Sequence, residues 1–159
     1  MENFNDANTP YFSFNGLNTI ARIIDITDGD TVKVIINFKG EYYKIIIRLF
    51  NIDTCETRSK CEENKNLGIQ AKLRLFNLIT NKTIDNNKKD IKNELNNNYY
   101  TIFIKCYDFD KYGRVLADIY KTENDIISLS SILINEKLAY VYTGKTKLTE
   151  EEQINFLIN

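Results

Sequence analysis

The sequence predicts an α+β fold, and three observations carry that prediction. Residues 31–38, TVKVIINF, alternate with a period of two: Val32, Val34, Ile36 and Phe38 on one face, Thr31, Lys33, Ile35 and Asn37 on the other. That is the pattern of a strand. Turn signals, Asp28-Gly29-Asp30 before it and Lys39-Gly40 after it, join it to two further Ile-rich extended segments, so three strands follow one another as a meander. From about Leu67 to Thr80 the period becomes helical, with Leu67, Ala71, Leu75, Leu78 and Ile79 on one stripe. Further along, two more strand segments precede short helical ones. Five strands and about three helices suffice for a small, closed, OB-like barrel, and closure removes the edges an open sheet would expose.

Residues 1–16 are polar and Asn-rich and hold the only proline, Pro10, which marks a flexible N-terminal leader. Residues 17–159 then form a single domain. LNTIARIIDIT is the first strand, TVKVIINF the second and YYKIIIRL the third. The polar stretch FNIDTCETRSKCEENKN leads to the helix at 67–80. Residues 81–98, rich in Asn and Lys, are expected to be a flexible surface insertion. YYTIFIKCY and RVLADIY are strands on either side of DFDKYG. A helix through SLSSILINEK has a candidate cap in Asn124 or Asp125. LAYVY is a short extended piece. Thr149 to Glu152 has the T-x-x-E form of a capping box that opens a last helix.

Composition narrows the chemistry. The 159 residues carry 21 Lys and Arg against 22 Asp and Glu, a net charge of −1. Nucleic-acid affinity from bulk positive charge is thereby excluded, and any such contact must be local. There is no histidine, which removes imidazole catalysis, Ser–His and Cys–His pairs and His-containing zinc sites. Acid–base work falls to carboxylates, Lys, Tyr or metal-bound water. Cys55, Cys61 and Cys106 are odd in number and make no disulfide framework, as expected of reduced thiols in an intracellular protein. The N-terminus has neither a basic nor an apolar signal region, and no apolar run approaches the ~18 residues of a membrane helix. A soluble monomer with no membrane partner is the expectation.

Four polar groups draw attention, each with an ordinary alternative. In Asp28-Gly29-Asp30-Thr31 the two carboxylates are two residues apart and can approach one cation, with Gly29 allowing an unusual backbone angle; the alternative is a plain turn. In Arg48-Leu49-Phe50-Asn51-Ile52-Asp53-Thr54-Cys55-Glu56 an arginine ends a strand just before two carboxylates. It is either a phosphate fork beside a cation site or a simple ion pair across the turn. Asp110-Lys111-Tyr112-Gly113-Arg114 supplies a lysine, a tyrosine and a second arginine, or is only a hairpin loop. Tyr140 and Tyr142 share one face of an extended segment, as core aromatics or as a platform on which a base stacks at ~1–3 kcal/mol each.

The ordered set DGDT, IRLFNIDTCE, GIQAKLRL, DKYGR and LINEKLAYVY resembles the staphylococcal (thermonuclease-type) nuclease family, over roughly Ile20 to Tyr142. The resemblance implies a Ca²⁺ held by Asp30, Asp53 and the main-chain carbonyl of Thr54, with Asp28 acting from an outer sphere. Glu56 corresponds to the family's catalytic glutamate, and Arg48 and Arg114 to its phosphate arginines. Lys111, Tyr112, Tyr140 and Tyr142 correspond to residues around a bound nucleotide. The implied activity is that of a metal-dependent endonuclease, a hydrolase cutting single-stranded or unwound DNA and RNA with little sequence preference and leaving 3′-phosphates. No step of it needs a histidine. A non-catalytic nucleic-acid or protein binding module on the same fold is the alternative. The sequence departs from the family in placing Cys55 where a proline is usual, in the long insertion at 81–98, and in a short C-terminal helix.

Overall fold

The computed structural model describes residues 1–158. Its elements run β1 (Asn18–Asp28), β2 (Thr31–Phe38), β3 (Glu41–Leu49), β4 (Ile52–Asp53), α1 (Glu62–Thr80), α2 (Lys88–Asn97), β5 (Thr101–Phe109), β6 (Val115–Tyr120), α3 (Leu129–Asn135), β7 (Tyr140–Val141) and α4 (Glu150–Ile158). Five strands close into a barrel in the order β1-β2-β3-β6-β5, and β4 pairs with β7 in a separate two-stranded piece. Every neighbouring pair in the barrel is antiparallel except β3 with β6, which run parallel over Ile47–Leu49 and Val115–Ala117. The core lies inside the barrel and under α1, on Ile23, Ile26, Val34, Ile47, Leu75 and Ile104 among others.

The meander forms as the alternation predicts. Lys39 and Gly40 both take left-handed angles, φ 53° and 87°, which a two-residue hairpin turn requires and glycine tolerates best. The Asn37 side chain accepts the Gly40 N–H at 3.2 Å. Residues 12–16 are held against one end of the barrel: Phe14 packs on Phe38 and Phe109 with ring centroids 5.3 and 5.8 Å apart. The Gly16 N–H donates to the Cys106 carbonyl at 3.0 Å.

The described residues form four helices where about three were expected. The extra one is α2, inside the stretch 81–98 read as a flexible insertion. Its Ile91 and Leu95, four residues apart, are fully buried, and the Asn96 amide donates to the Ile24 carbonyl at 3.0 Å. Asn87 caps it, its side chain accepting from the Lys89 N–H at 3.0 Å. An Asn-rich composition thus hides a minimal amphipathic helix that packs on β1. Two boundaries also differ. Helix α1 begins at Glu62, ahead of Leu67, and α3 is capped by Ser128, whose side chain accepts from the Ser131 N–H, not by Asn124 or Asp125. The capping box forms as expected: Thr149 N–H donates to Glu152 at 2.7 Å, and Glu152 N–H to Thr149 Oγ1 at 3.3 Å. No helix among the described residues is long and apolar enough to cross a membrane.

Helix α1 comes unusually close to two loops, and its small residues are the reason. A Cβ on Gly68 would lie 2.5 Å from the Cys55 carbonyl oxygen, and one on Gly29 would lie 2.6 Å from the Ala71 Cβ. Gly29 takes no left-handed angle, so its role is close approach and not the unusual backbone angle expected of it. Gly68→Ala gives a test with an informative sign. In an open helix the change stabilises by about 0.5–1 kcal/mol, whereas here the overlap with rigid backbone is expected to destabilise by about 1–3 kcal/mol. Urea unfolding measures it, and a gain in stability would show that the helix does not bear on the Cys55–Glu56 segment.

Candidate active site

Strand register brings the first residues together. Thr31 stands opposite Arg48 in the β2–β3 pairing, and the Leu49 N–H donates to the Asp30 carbonyl at 2.8 Å. The turn before β2 and the end of β3 therefore share one edge of the barrel. Beyond β3, Asn51 turns the chain through a left-handed angle, φ 56°. The next two residues form β4, in which Asp53 lies opposite Tyr140 of β7.

The carboxylates gather around one guanidinium. Arg48 Nη2 lies 2.5 Å from Asp53 Oδ1 and 3.2 Å from Asp30 Oδ2. Asp30 Oδ2 also accepts from the Thr54 N–H and the Thr54 hydroxyl, both at 3.1 Å, while Oδ1 accepts from Thr31 Oγ1 at 2.9 Å. Asp53 is completely buried. Its Oδ2 accepts the Tyr140 hydroxyl at 2.5 Å, and the Gln153 amide donates to that same hydroxyl oxygen at 3.2 Å. Asp28 accepts from the Thr57 hydroxyl at 2.5 Å, which ties the first turn to the loop carrying Glu56. Glu56 stands at the lip, its side chain 61% exposed.

The electrostatics follow from burial. Desolvation lifts the Asp30 carboxyl above its usual range, against the pull of Arg48 and with the push of the Asp53 charge. Glu56 is raised by partial desolvation, opposed by Lys147 and reinforced by Asp28, Asp30 and Asp53. Cys55 is buried, all three cysteines are free, and burial pushes its thiol up to about 12. It is a packed small side chain receiving the Asn64 amide at 3.3 Å.

Beside this cluster opens a cleft of about 550 Å³ that shares Arg48 as a wall. Arg48, Lys111, Arg114, Lys145 and Lys147 line it, with Asp110 as the only carboxylate among the described residues. Arg114 gives its Nε to Asp110 at 2.7 Å and lies over the Tyr112 ring at 5.4 Å. Among the described residues its terminal nitrogens make no hydrogen bond. Burial works against the Asp110 charge, but hydrogen bonds from Arg114 and the Tyr112 N–H hold its carboxyl below the usual range.

The structure thus places Asp30, Arg48, Asp53 and Thr54 in direct contact, with Asp28 and Glu56 at their margin, and puts Lys111, Tyr112, Arg114 and Tyr142 around the adjoining cleft. Arg48 makes the ion pair foreseen as its ordinary alternative. Tyr140 is elsewhere: at 2% exposure it lies under Asp53 and offers no face to a base. Three residues went unforeseen, Lys145, Lys147 and Gln153. The only trace of the two lysines is the basic run Thr143-Gly144-Lys145-Thr146-Lys147 directly after LAYVY.

Residues 46–157 match the family described as Staphylococcal nuclease homologue. The chain belongs to this family. The match opens inside β3, so Arg48, Asp53–Glu56, the Lys111–Arg114 loop and both tyrosines fall within it. Asp28 and Asp30 precede it and join this nuclease-homologue site through the fold. Comparison with curated proteins gave no significant match. Among the described residues no three Asp, Glu or Cys side chains converge at metal-ligand spacing. What converges is the pair Asp30 and Asp53, both within 3.2 Å of one guanidinium nitrogen, beside the Thr54 backbone. Carboxylate oxygens such as these suit a hard cation such as Ca²⁺ and not a thiophilic one.

Proposed function

We propose that the chain is a Ca²⁺-dependent endonuclease, a monomeric intracellular phosphodiesterase that cuts single-stranded or unwound DNA and RNA with little sequence preference and leaves 3′-phosphate ends. One observation carries this reading: a buried Asp30–Arg48–Asp53 cluster opens onto a cleft with five cationic side chains, in a chain whose net charge is −1. Arg48, Arg114 and Lys147 each meet a carboxylate, but a cleft lined by this many cations still favours an anionic ligand.

Ca²⁺ would be held by Asp30, Asp53 and the Thr54 carbonyl, with Asp28 reaching it through water. When bound it neutralises charge on the phosphoryl oxygens and acidifies water. The rest falls to the protein's own side chains. Glu56, at the lip, orients the attacking water and takes its proton as the new P–O bond forms and the P–O5′ bond breaks, and the departing O5′ takes up a proton from solvent. Arg48 and Arg114, always protonated, contact the phosphoryl oxygens and match the charge that grows in the transition state. Lys111 and Tyr112 sit where a terminal phosphate and sugar would lie, and Tyr142 offers the cleft an aromatic face for a base. Tyr140 acts from below, orienting Asp53. Phosphate contacts and stacking carry no base identity, which accounts for weak sequence preference.

The second reading, a binding module without turnover, is favoured by Lys147, whose ammonium sits on Asp53 and Glu56. Labelled single-stranded DNA and RNA, incubated with Ca²⁺ or with a chelator, separate the two. We expect cleavage to 3′-phosphate ends with Ca²⁺ and none with chelator. Cleavage indifferent to chelation overturns the cation assignment; tight nucleotide binding with no product in Ca²⁺ establishes the module instead.

A further inference from the structure

Four carboxylates, Asp28, Asp30, Asp53 and Glu56, meet here, and only one of the cations facing them is fixed in the barrel, Arg48 at the end of β3. Buried Lys72 of α1 feels the Asp28 charge, and a further cation comes from far along the chain. Lys147 Nζ lies 2.9 Å from Asp53 Oδ1 and 3.6 Å from Glu56 Oε1, so it spans a buried carboxylate assigned to the cation and the exposed one assigned to the water. Resting on the nuclease reading of this site, we infer that Lys147 is a tethered stand-in cation. Its ammonium holds Asp53 and Glu56 while the site is free of divalent ion and leaves them when one binds.

The segment that carries it is built to let go. It is anchored at both ends: Tyr142 N–H donates to the Asn51 carbonyl at 2.9 Å on one side, and the Thr149–Glu152 capping box closes the other. Between them Gly144 takes φ 86°, and the Tyr142 hydroxyl donates to the Lys145 carbonyl at 2.7 Å. Among the described residues no hydrogen bond holds the backbone of Thr146 or Lys147. The Lys147 side chain is about half exposed, so its four-carbon stem can swing toward solvent or into the cleft it also lines without disturbing the barrel. Arg48 has no such freedom, being buried with its guanidinium also bonded to the Leu49 carbonyl at 3.2 Å. A divalent ion brings two charges to oxygens that Lys147 serves with one, and because the lysine is tethered it competes at a high effective concentration. Its presence therefore lowers cation affinity.

The test is Ca²⁺ binding by titration calorimetry on the full chain without nucleic acid. Lys147→Met is expected to bind Ca²⁺ about tenfold more tightly than the unmodified protein. Lys147→Arg, which keeps the charge and reach, stays close to the unmodified value. Lys145→Met removes a charge from the same cleft without touching either carboxylate and is expected to shift affinity far less, which separates direct competition from diffuse electrostatics. In the unmodified protein the NMR signal of the Lys147 ε-methylene should move when Ca²⁺ is added. Equal Ca²⁺ affinity in Lys147→Met and the unmodified protein, or equal gains in Lys147→Met and Lys145→Met, overturns the inference and leaves the nuclease reading standing. If neither the unmodified protein nor Lys147→Met binds Ca²⁺, the cation site of the nuclease reading falls, and the stand-in role with it.

Discussion

Asp53→Ala is expected to cost about 3 kcal/mol of stability, because it strips the counter-charge from a buried arginine. At this chain length that corresponds to a fall in melting temperature of roughly 6–12 °C. Asp53 is wholly buried and takes Arg48 and Lys147 on one oxygen and the Tyr140 hydroxyl on the other. Truncation leaves Arg48, its side chain only 8% exposed, with Asp30 at 3.2 Å as its one remaining carboxylate among the described residues. Tyr140 loses its acceptor in a place water does not reach. Lys147 adds little to the loss, since a half-exposed ammonium recovers its hydration on release. Thermal unfolding measures the effect. A melting temperature within about 2 °C of the unmodified protein would mean that the cluster does not hold the β4–β7 pairing to the barrel, and that these charges are incidental to the fold.

What the sequence displays and what it hides divide along physical lines. The meander was legible because its signals are local: a strict period of two and a Lys-Gly turn whose two left-handed angles the structure reproduces. The convergence of Asp30, Arg48 and Asp53 was legible only through motif order, since no short-range pattern reports that Thr31 will stand opposite Arg48. Helix α2 escaped because Ile91 and Leu95 are its only fully buried side chains, and two apolar residues among Asn and Lys look like a solvated loop until β1 covers them. The tyrosine pair shows a subtler limit. Spacing by two does put Tyr140 and Tyr142 on one side, with the exposed Val141 between them, but periodicity gives the side and not the depth. One ring lies under Asp53 and the other reaches the cleft. Lys147 and Gln153 were invisible for a related reason: each meets its partners across some 90 residues or across a helix cap, and nothing near them in the chain announces it.

Glu56→Gln is expected to slow cleavage by about 10²–10⁴-fold, the usual range for loss of a general base, while leaving stability nearly unchanged. The two halves of that expectation come from the same geometry. Glu56 is mostly exposed and its one charged contact among the described residues is Lys147 at 3.6 Å, so exchanging carboxylate for amide removes little that holds the fold together. The backbone around it is fixed independently of its side chain, by the Thr57–Asp28 hydrogen bond and by the close approach of Gly68 to the Cys55 carbonyl. Glutamine keeps the shape and still orients a water, but at neutral pH it does not take the proton that must leave as oxygen attacks phosphorus. Binding of substrate, assigned in the proposed reading to the cleft's lysines and arginines, should survive. The decisive measurement is therefore a single-turnover cleavage rate on single-stranded DNA in saturating Ca²⁺, alongside oligonucleotide affinity and melting temperature. A rate near that of the unmodified protein would remove Glu56 from the chemistry and leave proton removal to solvent. A rate loss matched by an equal loss of affinity would move Glu56 from catalysis to binding.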